Sequence, residues 1–195
     1  MNKTIIVTGI PGTGKTTVCS LVEKLARQAG VKVNLLNYGT VTLETLKKYG
    51  KNMERDAMRK SDVDFQRKLQ KEVAEVISQK VKLSDSMTII DTHMAIKTSG
   101  GYMPGLPSHV LQLLKPEMLV LVEAKPNEIS ARRIKDNSRK RDATVDEAVS
   151  EELMVSRLMA GACSVLTGAP VKIAVNSEGK AEEAARDILK ACEVV

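Results

Sequence analysis

The sequence is poor in aromatic residues. It has no tryptophan, one phenylalanine and three tyrosines in 195 residues. Proteins that bind single-stranded nucleic acid commonly stack bases on exposed aromatic side chains, so this composition argues against a nucleic-acid partner of that kind. The hydrophobic core must be built mainly from aliphatic residues, together with the nine methionines.

Cysteine is also scarce, and long apolar runs are lacking. Cys19, Cys163 and Cys192 are odd in number and far apart, which favours reduced thiols in or near the core over a disulfide framework or a CxxC metal pair. No stretch approaches the roughly 18 apolar residues of a membrane span. We therefore expect a cytoplasmic protein with no signal peptide and no membrane partner.

Length and composition predict one compact domain. Apolar residues make up 43% of the chain and charged residues 28%, as in ordinary globular proteins. The 30 lysines and arginines outnumber the 24 aspartates and glutamates, so the formal net charge is +6. A positive charge suits small polyphosphates and nucleic acid alike, and it does not choose between them.

Short β-branched segments alternate with longer helical patterns, which predicts a buried parallel sheet. The five segments are 4–8, 31–36, 87–91, 118–123 and 171–175. The alternation breaks once, because about 50 residues separate the second strand from the third and leave room for two or three helices. Capping patterns predict helix starts at Ser61 and Thr144, and Gly168 is placed to end the second of these helices.

Residues 9–16 match the phosphate-binding pattern GxxxxGK[ST] and lie between a predicted strand and a helix predicted over 15–29. The glycines allow successive backbone N–H groups to point at phosphate oxygens. Lys15 is expected to reach the β- and γ-phosphates, and the Thr16 hydroxyl to bind Mg²⁺. The predicted ATP-binding residues are Gly9, Ile10, Pro11, Gly12, Thr13, Gly14, Lys15, Thr16 and Thr17.

Asp91 ends the third apolar segment, where a second acidic residue near Mg²⁺ is expected, acting through water. A strand-end cap is the alternative role for this carboxylate. Thr92 follows in place of the glutamate that activates water in motor ATPases, and the chain has no Asn-Lys-x-Asp motif for reading guanine. Phosphoryl transfer to an acceptor other than water is therefore favoured.

Seven segments, read in order, resemble the archaeal-type adenylate kinases of the nucleoside monophosphate kinase group. They are VTGIPGTGKTT (7–17), NYGT (37–40), RDAMRK (55–60), DTH (91–93), GYMPGLP (101–107), RKRD (139–142) and LTGAPVK (166–172). The resemblance implies that ATP with Mg²⁺ and AMP give two ADP, and that the chain forms a homotrimer. It also implies an α/β P-loop NTPase fold, a five-stranded parallel sheet flanked by helices. The core would span 1–38, 87–134 and 144–195, with an AMP-binding helical insertion at about 39–86 and a short lid at about 135–143.

Segment 128–142 holds six cations against three acidic residues. Two anionic nucleotides must be brought together during the transfer, and arginine grips phosphate with a planar fork. Arg132, Arg139 and Arg141 are therefore predicted to be catalytic, together with Lys15. A solvated basic helix end is the alternative, and it is preferred for Lys135 and Lys140. The predicted lid lacks cysteine, which excludes a zinc-binding lid.

The acceptor site is predicted from four parts of the chain. Arg55 and Arg59 are four residues apart, on one face of a helix, and suit the AMP phosphate; a surface pairing with Glu54 and Asp56 is the alternative. The remaining predicted AMP-binding residues are Asn37, Gly39, Thr40, His93 and Gly105. For His93 a loop-anchoring role is equally open, and for Gly105 a plain turn. The adenine of ATP is expected near 167–170 or Asn176.

Two other functions remain open at this point. A kinase for another nucleoside monophosphate or a small metabolite would share the phosphate loop, because acceptor identity depends on few contacts. A regulatory or RNA-associated P-loop protein would fit the basic charge, but the scarcity of aromatic residues and the lack of a basic tail argue against it.

Overall fold

The computed structural model describes residues 3–48, 62–98, 100–135 and 146–194. The described strands are β1 (Thr4–Thr8), β2 (Val33–Asn37), β3 (Met87–Asp91), β4 (Ala95–Thr98), β5 (Gly101–Pro104), β6 (Met118–Glu123) and β7 (Val171–Val175). The described helices are α1 (Lys15–Gln28), α2 (Tyr38–Lys48), α3 (Val63–Lys82), α4 (Ser108–Leu114), α5 (Pro126–Lys135), α6 (Asp146–Thr167) and α7 (Ala181–Ala191).

Five strands form one sheet in the order β2-β3-β1-β6-β7, and every neighbouring pair is parallel. The central strand is β1, where Ile6 lies opposite Ile90 of β3 and Leu119 of β6. Buried apolar strands of this kind occur where helices cover both faces of the sheet. The predicted α/β fold with a five-stranded parallel sheet is confirmed.

The core is aliphatic and lies on both faces of the sheet. Ile5 and Val7 pack against α1 and α7, whereas Ile6 packs against α3, α4 and α6. The three cysteines are buried and free, and burial raises the pKa of Cys19 and of Cys192 to about 11. They therefore behave as core thiols, as predicted. No helix in the described ranges has the length and apolar character needed to cross a bilayer.

Two local differences from the sequence analysis stand out. The second strand begins at Val33 and includes Asn37, so it lies slightly later than predicted. The region after β3 forms an antiparallel hairpin of β4 and β5, with Ala95 opposite Pro104. The hairpin was not predicted because its strands are short and largely half-exposed, which leaves no clear apolar alternation.

The predicted helix boundaries have different outcomes: α1 begins at Lys15 as predicted, and the start predicted at Thr144 lies outside the described residues. The carboxylate of Asp62 caps α3 by accepting hydrogen bonds from the backbone N–H groups of Asp64 (2.8 Å) and Phe65 (3.1 Å). The cap predicted at Ser61 is therefore wrong by one residue. α6 ends at Thr167, and Gly168 follows with φ of 74°, a conformation that glycine adopts at low cost. This helix end is confirmed.

Candidate active site

The phosphate loop connects β1 to α1 and depends on three glycines. Gly12 and Gly14 have φ of 93° and 78°, in the left-handed region that other residues avoid. A Cβ atom at Gly9 would lie 2.7 Å from the Val122 carbonyl oxygen of β6. The loop therefore tolerates no side chain at these positions without a shift of the backbone.

Two hydrogen bonds within the loop are accepted by the Ile10 carbonyl. The backbone N–H and the hydroxyl of Thr13 both donate to the Ile10 carbonyl, at 3.3 and 3.0 Å. The first turn of α1 has no acidic residue, and no side chain caps its N-terminus. An uncapped helix N-terminus at a glycine-rich loop attracts anions through its N–H groups and its partial positive charge. This arrangement suits a polyphosphate.

Lys15 is the first residue of α1 and forms an ion pair with Asp91 at the end of β3. The lysine side chain is 9% exposed, so Lys15 is part of the buried structure as well as of the phosphate loop. The pair forms because β1 and β3 are neighbours in the sheet, with Val7 opposite Asp91. Both charges lie at the carboxyl edge of the strands, where open α/β sheets bind ligands.

Asn37, at the end of β2, connects this ion pair to α2. Its amide nitrogen donates to Asp91 at 2.7 Å, and its amide oxygen accepts from the backbone N–H of Thr40 at 2.9 Å. The Thr40 hydroxyl donates to the same oxygen at 3.2 Å. Asn37, Gly39 and Thr40 lie at the junction of β2 and α2, and their contact with AMP stays a prediction. In this structure, however, the Asn37 amide group is engaged in hydrogen bonds with Asp91 and Thr40.

The possible ligands of a cation are oxygen atoms from two elements. Asp91 is buried at the end of β3, and Thr16 is exposed at the start of α1. The described residues contain no cluster of three or more histidines, cysteines and carboxylates that would hold a metal ion by themselves. Asp91 and Thr16 supply hard oxygen donors, but they are too few to complete the coordination shell of a metal ion. This fits Mg²⁺, which is usually bound jointly by protein and phosphate oxygens.

His93 and Gly105 lie together beside the carboxyl edge. A Cβ atom at Gly105 would collide with the His93 carbonyl oxygen, and the Gly105 N–H donates to Met94 at 2.9 Å. Glycine at this position is thus explained by close backbone contact. The geometry supports the plain-turn alternative for Gly105, and AMP contacts by either residue remain predictions.

Two consecutive arginines at the end of α5 reach different parts of the phosphate loop. Arg132 is partly exposed and donates to the carbonyls of Thr13 (3.3 Å) and Asn176 (3.1 Å). Arg133 is 2% exposed, and its Nε donates to the Pro11 carbonyl at 2.8 Å. From sequence alone, Arg132 was predicted to be catalytic and Arg133 had no assigned role.

Asn176 also contacts the loop. Its amide nitrogen donates to the Thr13 carbonyl at 2.7 Å, and a Cβ atom at Gly14 would collide with this amide. The amide therefore faces the phosphate loop, where it holds a carbonyl in place, and the prediction that Asn176 contacts adenine stays untested.

A second buried carboxylate was missed by the sequence analysis. Glu123 ends β6 and accepts two hydrogen bonds from Arg157 of α6, at 2.8 and 2.5 Å. Its side chain is 7% exposed, whereas that of Arg157 is 57% exposed. These hydrogen bonds raise the pKa of the Arg157 guanidinium. The sequence did contain a signal for this pair, namely a glutamate at the end of an otherwise apolar strand. A buried carboxylate needs a partner.

Four predicted site residues, Arg55, Arg59, Arg139 and Arg141, lie outside the described residues. The same holds for most of the predicted lid, of which only Lys135 is described, as the last residue of α5. Their roles stay predictions.

Fold and site together define a P-loop nucleotide-binding protein of the α/β class. A model of the AAA domain family matches residues 8–150. The fold is shared with a shikimate kinase from Acinetobacter baumannii in complex with shikimate, at a TM-score of 0.59 and 17% identity, over 98% of this chain and 93% of that one. TT1252 from Thermus thermophilus gives a TM-score of 0.60 at 14% identity, over 98% of this chain and 96% of that one.

Sequence comparison identifies the family more narrowly than the shared fold does. An adenylate kinase of Saccharolobus islandicus is 42% identical over 187 residues, covering 94% of this chain and 96% of that protein. An adenylate kinase of Methanocaldococcus jannaschii is 37% identical, covering 97% of each, and one of Thermoplasma acidophilum is 42% identical, covering 95% and 96%. The chain belongs to the adenylate kinase family.

Proposed function

We propose that the phosphate loop is the donor site of an adenylate kinase, which transfers the γ-phosphoryl group of ATP to AMP. An AMP phosphate oxygen bonds to the γ-phosphorus as the bond to the β-phosphate oxygen breaks, and two ADP result. The observation that carries the proposal is the Lys15–Asp91 pair at a complete phosphate loop, with Thr92 where a water-activating glutamate would stand. Family membership supports AMP as the acceptor.

Electrostatics decide which residues act in this reaction. Both nucleotides are anionic, so catalysis consists mainly of positioning and charge stabilisation. Lys15 would move from Asp91 to the β- and γ-phosphates when ATP binds. Arg132 is already placed at the rim of the loop, and we assign Arg139 and Arg141 to the transferring phosphoryl group on the resemblance described above.

Mg²⁺ is part of this proposal. Thr16 would bind the ion directly and Asp91 through water, once Lys15 has left the carboxylate. When bound, Mg²⁺ neutralises charge on the β- and γ-phosphate oxygens.

The acceptor site would be formed by the insertion and the neighbouring strand ends. The described part of the insertion is α2 and α3, which pack on each other, and α3 packs on α4. We assign the AMP phosphate to Arg55 and Arg59. The nucleoside would lie near Asn37, Gly39, Thr40, His93 and Gly105, all of which lie close to the same sheet edge as Asp91.

Product analysis with a panel of acceptors tests the proposed function. We expect AMP to accept phosphate from ATP and Mg²⁺ faster than CMP, UMP, GMP or shikimate, with ADP as the product. ATP hydrolysis without transfer, or a preference for another acceptor, would contradict the proposal. A salt-sensitive RNA complex without kinase turnover would instead support the binding-module alternative.

The surface supports the homotrimer that the resemblance implies. Of the ten exposed large apolar side chains in the described ranges, seven lie on two adjoining elements. Met154, Leu158, Val165 and Leu166 are on α6, and Val171, Ile173 and Val175 are on the edge strand β7. A concentration of exposed apolar side chains on two neighbouring elements is typical of an interaction site. We propose that other copies of the chain cover it.

The three buried cysteines support placing the protein in the cytoplasm.

Charge insertion tests the assembly. We expect Leu158→Glu to dissociate the trimer, because a carboxylate is costly to bury in an apolar contact. Sedimentation should give three times the 21.2 kDa chain mass for the wild type and one chain mass for the variant. Leu83→Glu is the matched control, since Leu83 is exposed at the end of α3, away from this surface. A monomeric wild type would refute the proposal.

A further inference from the structure

Arg133 is buried between α5, α6 and the phosphate loop. Its Nε donates to the Pro11 carbonyl at 2.8 Å, and its two terminal nitrogens donate to the Glu152 carboxylate at 3.3 and 2.6 Å. Glu152 belongs to α6 and its side chain is 11% exposed. The arginine is therefore paired with a buried carboxylate, and its described contact with the phosphate loop is made to the backbone at Pro11 and Gly12.

Close packing accompanies these hydrogen bonds. A Cβ atom at Gly12 would lie 3.0 Å from Ile129 and 3.1 Å from the Arg133 side chain. The stem of Arg133 and the body of α5 thus press against the loop at Gly12, while the guanidinium holds the preceding carbonyl. Both contacts restrict the same peptide unit.

The orientation of the Pro11–Gly12 peptide determines which group the restriction fixes. The bond between Pro11 and Gly12 is trans, so its C=O and N–H groups point in opposite directions. Because Arg133 holds the carbonyl, the Gly12 N–H is directed away from α5. An N–H donor fixed before the ligand arrives stabilises phosphate charge without reorganisation during the reaction.

We propose that Arg133, held by Glu152, is a positioning residue that fixes the Gly12 N–H as a donor to the phosphates of the bound nucleoside triphosphate. The assignment rests on the donor site proposed above. It separates the two arginines of α5: Arg132 is exposed enough to contact substrate, whereas Arg133 acts through the peptide it holds.

Binding of the non-hydrolysable analogue AMP-PNP, measured by calorimetry, tests the assignment. The main variant is Arg133→Met/Glu152→Met, because exchanging a buried ion pair for apolar residues of similar volume often preserves stability. The control is Arg157→Met/Glu123→Met, which removes a second arginine–carboxylate pair that α6 makes with two hydrogen bonds among the described residues. Arg133→Lys is the second test variant, since one ammonium cannot replace a guanidinium that serves both Pro11 and Glu152.

We expect the main variant to bind AMP-PNP about tenfold more weakly than the wild type, a loss typical of one charge-assisted hydrogen bond. The KM for AMP should change by less than about twofold, because the restriction acts on the donor loop alone. If Arg133 had a purely structural role, its removal would not affect AMP-PNP binding more than the KM for AMP. Unchanged AMP-PNP affinity, or a loss no larger than in the control, would overturn the assignment.

If the main variant does not fold, Arg133→Lys decides by the same criteria. AMP-PNP binding is measured without any transfer step. A wild type that binds AMP-PNP but does not phosphorylate AMP would refute the proposed function, while the Arg133 assignment would still be decided by the binding data.

Discussion

Replacing Lys15 with methionine is expected to lower turnover roughly 10³-fold, because the β- and γ-phosphates lose their nearest fixed positive charge. The same change should also destabilise the fold. Asp91 is buried and paired with Lys15, and removing one partner of a buried ion pair costs about 3 kcal/mol or more. Steady-state kinetics and chemical denaturation measure the two effects separately.

A double variant separates catalysis from stability. Lys15→Met/Asp91→Asn removes both charges, and asparagine still offers an oxygen to the amide of Asn37. We expect stability to return towards the wild-type value while turnover stays low. Near-normal turnover in a folded Lys15→Met variant would show that the phosphate loop is not the donor site. A double variant as unstable as the single one would show that the orphaned charge is not the cause.

Replacing Arg139 or Arg141 with alanine is expected to lower turnover by roughly 10³-fold or more in each case, by analogy with arginine contacts to a transferring phosphoryl group. The affinity for ATP should change less than turnover, because contacts made mainly in the reacting geometry stabilise the transition state preferentially. Lys140→Ala is the control and should cost little. Single-turnover kinetics and equilibrium ATP binding distinguish the two quantities.

Equal and small effects at positions 139, 140 and 141 would contradict this assignment. They would indicate a solvated basic segment and move the catalytic role to Arg132, which already contacts the phosphate loop, or to the insertion.

Local patterns predicted the sheet and the phosphate loop because their causes are local. The strand ending at Asp91 is an uninterrupted apolar run, and Gly168 ends its helix through its own backbone conformation. The hairpin of β4 and β5 escaped prediction because its strands lack a buried face of their own. Capping was misplaced by one residue, since Asp62 and Ser61 both have side chains that can accept the hydrogen bonds.

The site was harder to predict because its partners come from distant parts of the chain. Arg132 and Arg133 are adjacent and identical in type, and only the position of α5 against the loop decides which of them is buried. The position of Glu152 could have indicated its ion pair, since it lies beside the buried Val149, Leu153 and Ser156 on the inner face of α6. A carboxylate on a buried face requires a cation nearby.

If Lys15 and Asp91 have the proposed roles, nucleotide binding at this ion pair is an exchange of ionic partners. Without nucleotide, the lysine and the carboxylate cancel each other, so the base of the loop presents little net charge to passing anions. On the proposed donor-site roles, a small anion alone would make few contacts and would gain little by displacing Asp91. A triphosphate with its cation would supply a new partner to both groups at once, since the phosphates would take the lysine and the cation would attract the carboxylate. We therefore expect the pair to discriminate by the number of charges a ligand brings, before any contact with a base or a sugar is made.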